Sequence, residues 1–270
     1  MRLHLTRQRR GRKADLSRWL TVALVLLCGS AGAGAADYVS IGGGSFISVL
    51  PQGPLPEASA PVQIESFSLR RTPVTAGEFQ AFVLAHPEWQ RGLAPAIFAD
   101  QRYLIDWRTP TELADPQAAE GPVTNVSWFA AKAFCESENA RLPTWLEWEF
   151  AAAADADRLD ARADPQWRQR ILAWYERPTA ARLPPTGGAP NAWGVSDLHG
   201  LVWEWVEDFN ALFIAGDSRT QGDPDTLKFC GAGAISIIDR DSYAVLMRIA
   251  LLSSLAAADT TSSLGFRCAR

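Results

Sequence analysis

The chain has 270 residues, with 26 Lys and Arg against 30 Asp and Glu for a net charge of −4. Residues 1–35 hold seven of the basic side chains and one of the acidic ones, so residues 36–270 carry 19 basic and 29 acidic groups, a net −10. An acidic domain repels phosphate backbones, which argues against a nucleic-acid partner, and it lacks the basic amphipathic face that docks on anionic lipid.

The N-terminus reads as a targeting segment. Arg2, Arg7, Arg9, Arg10, Arg12, Lys13 and Arg18 precede a short apolar run from Trp19 to Leu27, and Ala33-Gly34-Ala35 offers a small-x-small cleavage site. That run is shorter than the roughly 20 residues a membrane span needs. The expectation is a signal peptide over 1–35, one domain over 36–270, export to the bacterial periplasm, and no stable membrane insertion after cleavage. Oxidising surroundings favour a disulfide, and Cys135, Cys230 and Cys268 remain to form it, with one thiol left over. Residue types alone do not choose the pair.

Along the domain, Ile41 to Phe46 reads as a strand entering a turn, and Val62 to Leu69 as a half-buried strand with one break of phase. Thr75 and Glu78 have capping-box spacing, which predicts a helix from about Ala76 to Ala85, stopping before Pro87. Residues 88–120 read as an irregular insertion. A second helix is expected from Ser127 to Asn139, and Thr144 with Glu147 opens a third through about Ala154. Residues 155–190 read as polar and variable. Ile235, Ile237 and Ile238, and then Tyr243 to Leu252, read as further buried strands. Short elements joined by long irregular stretches predict a mixed α/β (α+β) domain with little regular secondary structure.

The most informative segment runs from Asn191 to Asp208. It places Glu204 between Trp203 and Trp205, a costly position for a carboxylate without a fixed task. Four blocks, taken together, resemble the formylglycine-generating enzyme (sulfatase-modifying factor) family: Phe67 to Phe82; Pro122 to Cys135 continuing to Arg141-Leu-Pro-Thr144 and Ala151; Asn191 to Asp208; and Leu264 to Arg270. The resemblance spans nearly the whole domain and implies the family's fold, which is similar to C-type lectin folds. It implies a Cys135–Cys268 disulfide. It also implies calcium held by Asp197 and Glu204 side chains with the carbonyls of Gly200 and Val202, hard oxygens suited to that ion.

The family's oxidase holds copper(I) with two cysteines between the third and fourth blocks, because soft thiolates suit that ion. This chain has none between Gly231 and Arg267; counted back from the C-terminal block, the two positions fall at Asp239 and Ala244. Copper is therefore not expected. Cys230 is the one candidate thiol for chemistry, with a small buried residue beside a glycine turn as the plainer reading. Besides cysteine, the soft and imidazole donors of 36–270 are Met247, His86 and His199, and no His-x-x-x-His pattern supports an iron site like that of the sulfoxide-synthase relatives. Three functions remain in view: an accessory or maturation factor for an exported metalloenzyme, similar to the proteins associated with copper nitrite reductase; a formylglycine-generating oxidase using Cys230; and a lectin-like module binding a peptide or glycan.

Overall fold

The computed structural model describes residues 37–50, 60–175, 182–212 and 243–270, which all fall in one compact unit, Ala36–Arg270. The expected signal segment, Cys230, Asp239 and the isoleucines at 235–238 lie outside the described residues.

The C-terminal residues organise the fold. Strand β8 (Leu264–Phe266) pairs in parallel with β7 (Trp203–Trp205), setting Glu204 opposite Gly265. Gly265 cannot be larger, because a Cβ there would lie 2.5 Å from the Val123 carbonyl. Beyond β8 the tail threads between two earlier segments. Ser68 and Arg270 exchange backbone hydrogen bonds, Arg70 N–H donates to the Cys268 carbonyl, and Arg141 exchanges a pair with Ala269. A disulfide joins Cys268 to Cys135. The blocks quoted from the sequence thus meet along one short strip of backbone.

The N-terminal part forms two antiparallel pairs: β1 (Tyr38–Ile41) with β4 (Phe67–Arg70), and β2 (Gly44–Phe46) with β3 (Val62–Ile64). The break of phase in the Val62–Leu69 pattern marks the joint between β3 and β4. At Gly43 a Cβ would sit 2.3 Å from the Ile64 carbonyl, so the chain needs glycine where β1 gives way to β2.

Helix α1 (Ala76–Ala85) starts at a complete capping box from Thr75 and Glu78. The insertion at 88–120 is mostly irregular, with a short hairpin of β5 (Trp107–Thr109) and β6 (Glu112–Leu113). Helix α2 (Trp128–Ser137) is capped by Ser127, and α3 (Trp145–Ala152) by a second capping box from Thr144 and Glu147. Each such cap satisfies orphan N–H groups and is worth about 1 kcal/mol. Phe79 of α1, Phe134 of α2 and Phe266 of β8 contact one another at 5.4–6.0 Å, fixing both helices on the C-terminal strand.

Two expectations are corrected. Residues 155–190 contain a helix, α4 (Pro165–Tyr175), and Tyr243 to Leu252 is not a strand but helix α5 (Tyr243–Ser253). Over residues 245–253 of α5 the buried residues are Arg248, Ile249 and Leu252, a helical spacing. A continuous apolar run carries no period that separates a strand from a buried helix, and the arginine inside it meets the Glu204 carbonyl and the Trp148 ring from the helix. Among the described residues no helix is long and apolar enough to cross a membrane.

Candidate functional site

Glu204, in the middle of β7, is fully buried, and so is Arg267, which follows β8. Parallel pairing of their strands brings the two side chains together. Arg267 Nε donates to Glu204 Oε2 and Nη2 to Oε1, both at 2.8 Å. Nη2 also donates to the Ser196 carbonyl, and Nη1 to the carbonyls of Arg70 and Arg71. All five guanidinium donors are therefore used, and one side chain ties β4, the 196 loop, β7 and β8 together. Trp148 Nε1 of α3 adds a bond to Glu204 Oε2 at 2.9 Å. Arg248 of α5 donates to the Glu204 carbonyl oxygen and lies with its guanidinium carbon 3.5 Å from the centre of the Trp148 ring. The task that the sequence demands of a carboxylate between two tryptophans is to anchor this arginine centre. Neither Arg267 nor Arg248 is singled out by the sequence reading; the need of a buried carboxylate for a buried cation is the signal that points to them.

A cavity of about 460 Å³ lies beside this centre, between α4 and the loop of residues 189–200. Trp167, Ile171 and Trp174 line it from one face of α4 at helical spacing, and Trp174 meets Trp203 of β7 at 5.6 Å. His199 lines it as well, its ring packed edge-on against Trp148 and Trp167, both at 5.6 Å. Burial, opposed by a hydrogen bond to the Ala152 carbonyl, lowers the His199 pKa to about 4. The ring is thus neutral near pH 7 and carries its proton on Nε2, which leaves Nδ1 an acceptor.

Asp197 also lines the cavity, at φ +63°, a conformation that Asp and Asn tolerate better than other side chains. Its carboxylate accepts the backbone N–H groups of Gly187 and Gly188 at 2.7 and 3.2 Å. A Cβ on Gly188 would meet that carboxylate at 2.6 Å, so the close approach depends on glycine.

Of the four residues expected to hold calcium, Asp197 and Gly200 face the cavity, while Val202 and Glu204 lie buried in the core and do not line it. Glu204 is met on both oxygens by a guanidinium, and Asp197 is turned to two amides. As placed, this set does not fit an ion that takes 6–8 oxygens at about 2.3–2.6 Å, because its two charges are already answered separately. Met247 is on the exposed side of α5, and Ala244 lies in the first turn of that helix. Among the described residues no group of three or more His, Cys, Asp or Glu side chains is placed to hold a metal.

The fold and the arginine centre define a mixed α/β domain closed by its own C-terminal strand. Residues 28–270 match the model of the sulfatase-modifying factor enzyme 1-like domain, and the chain belongs to that family. Relatives include the formylglycine-generating enzyme of Streptomyces coelicolor, 34% identical over 167 residues, covering 55% of this chain and 52% of that protein. The hercynine oxygenase of Mycobacterium tuberculosis is 29% identical over 190 residues, covering 58% of this chain and 45% of the relative. The matched region thus spans about half the length of these relatives. Among solved structures, PvdO from Pseudomonas aeruginosa aligns with a TM-score of 0.46 at 18% identity, covering 87% of this chain and 94% of that one. CarF aligns with a TM-score of 0.45 at 18% identity, covering 87% and 98%.

Proposed function

We propose that this chain is an exported member of the family that does not oxidise thiols and that acts as an accessory or maturation factor for an exported metalloenzyme. The observation that carries the reading is the loss of the thiolate pair: the two expected copper positions are Asp239, a hard oxygen donor, and Ala244, which has no donor. A copper(I) ion needs soft ligands, and the two cysteines among the described residues are consumed by the disulfide. Cys230 alone would supply a single thiolate, and Met247 a weak thioether.

What the chain holds is a frame centred on Arg267 and Glu204, and an aromatic-walled cavity beside it. A frame without the redox pair suits binding rather than turnover. Copper nitrite reductase is the proposed client, on the resemblance to accessory proteins associated with that enzyme. The test is affinity capture of the mature protein from periplasm of its own cells during denitrifying growth, with mass spectrometry of what is retained. Recovery of a copper nitrite reductase, absent from a capture with an unrelated exported protein carrying the same tag, supports the reading; capture of sulfatase precursors instead would return the protein to the oxidase branch.

A further inference from the structure

The cavity between α4 and the 189–200 loop offers an unusual balance of groups. One wall is indole, from Trp167 and Trp174, with Ile171 between them on the same helical face. The polar groups are few. Asp155 is on the lining, but all its acceptor positions are engaged: Oδ1 takes the N–H groups of Asp157 and Arg158, and Oδ2 takes two donors of the Arg158 guanidinium, which holds the carboxyl down at about 2. Asn191 accepts from Trp193 and Val195 and donates one Nδ2 hydrogen to the Ala151 carbonyl, which leaves it a single N–H. Three further groups keep capacity for a ligand. Asp197 Oδ1 accepts one hydrogen bond within 3.2 Å and has a second lone pair. His199 is bonded through Nε2 to the Ala152 carbonyl, which leaves Nδ1 for a ligand. Arg170 is exposed, with no hydrogen bond or ion pair among the described residues.

These three decide the ligand class. An organic cation would gain from the indoles and from Asp197, yet it would face Arg170, and the Asp155 charge is already neutralised by Arg158. A phosphate or carboxylate would face Asp197. A purely apolar ligand would cover the open positions of the Asp197 carboxylate and the His199 imidazole and offer them no hydrogen bond, at a cost of about 1–3 kcal/mol each. A neutral ring with one C–H face and hydroxyls that both donate and accept meets all of them. Its apolar face lies on indole, its O–H groups donate to Asp197 and His199, and its oxygens accept from Arg170. The volume is within the range of about 300–1,000 Å³ typical of small-molecule sites.

We propose that this cavity is a saccharide-binding site, with Trp167 and Trp174 as the stacking wall and Asp197, His199 and Arg170 as the hydroxyl-reading groups. The proposal goes beyond the functional reading and does not depend on it, since neither thiols nor a client enter.

The test is titration of the mature protein, in EDTA, with the methyl pyranosides of glucose, galactose, mannose and N-acetylglucosamine and with cellobiose and chitobiose. Binding is followed by indole fluorescence and by saturation-transfer NMR, with benzyltrimethylammonium as the cationic comparison. Saturable binding of one or more of these sugars is expected, weakened about ten-fold or more by Trp174→Ala, Asp197→Asn and Arg170→Ala. Arg170 is exposed, so its variant folds whatever becomes of the others. Absence of saturable sugar binding, sugar binding unchanged in Arg170→Ala and Asp197→Asn, or tighter binding of the ammonium probe than of every sugar would overturn the proposal.

Discussion

Arg267 and Glu204 form a two-pronged ion pair in which both side chains are wholly withdrawn from solvent. Taking two charges out of water is costly, and the geometry offsets that cost only because every donor of the arginine has an acceptor. Removing one partner leaves the other charged and unanswered. Arg267→Met is therefore expected to destabilise the domain by about 3–5 kcal/mol, and Glu204→Gln by a comparable amount. The double variant should lose less than the sum of the two. Arg108→Ala, which breaks the exposed Arg108–Glu112 pair, should change stability by less than about 1 kcal/mol. Urea unfolding of the four variants checks this; additive single losses would show that the pair is not coupled.

The disulfide between Cys135 and Cys268 closes a loop with a sequence separation of 133. Cross-linking so long a loop restricts the unfolded chain, and reduction should lower stability by about 3–5 kcal/mol. Non-reducing peptide mapping should find this bond and leave Cys230 alkylated as a free thiol. A disulfide that includes Cys230 would contradict the assignment.

His199 makes stability depend on pH in a definite sense. Its folded pKa, about 4, lies below the ordinary value near 6.5, so between those limits the unfolded chain binds a proton that the folded one refuses. The neutral form's contribution is complete above about pH 6.5 and is lost as pH falls through 4, by roughly 3 kcal/mol in all. Glu149 acts oppositely: burial raises its pKa, so the folded state holds its proton more firmly and that stabilisation fades as pH rises through the raised value. Comparing wild type with His199→Gln separates the two. The variant should lose the decline between pH 6.5 and 4, and parallel pH profiles would show that His199 is not the group responsible.

Local rules made much of the frame readable. Thr75 with Glu78 and Thr144 with Glu147 announce α1 and α3 because a capping box is a contact within four residues. The phase break between Val62 and Leu69 marks a real change of strand partner. The missed elements are those whose meaning lies in distant contacts. Helix α4 is betrayed only by Asp164-Pro165 at its start and by the spacing of Trp167, Ile171 and Trp174, on a background of polar residues. Helix α5 is a continuous apolar run in which only Arg248, buried against Trp148 and the Glu204 carbonyl, breaks the pattern. For the site, the sequence singles out Asp197 and Glu204 as calcium ligands, and the structure turns one to two backbone amides and the other to a guanidinium. Their partners, Arg267 for one and the Gly187 and Gly188 amides for the other, are set by strand pairing and loop closure, which no short motif encodes.

The proposed absence of thiol oxidation is tested most directly by incubating the purified protein, reconstituted with copper(I), with a Cys-x-Pro-x-Arg sulfatase peptide under oxygen and measuring aldehyde by mass spectrometry. With Ala244 and Asp239 in place of thiolates, aldehyde is expected at the level of the enzyme-free control. Aldehyde above that control, abolished by Cys230→Ser, would contradict the non-oxidising reading and make Cys230 the catalytic thiol.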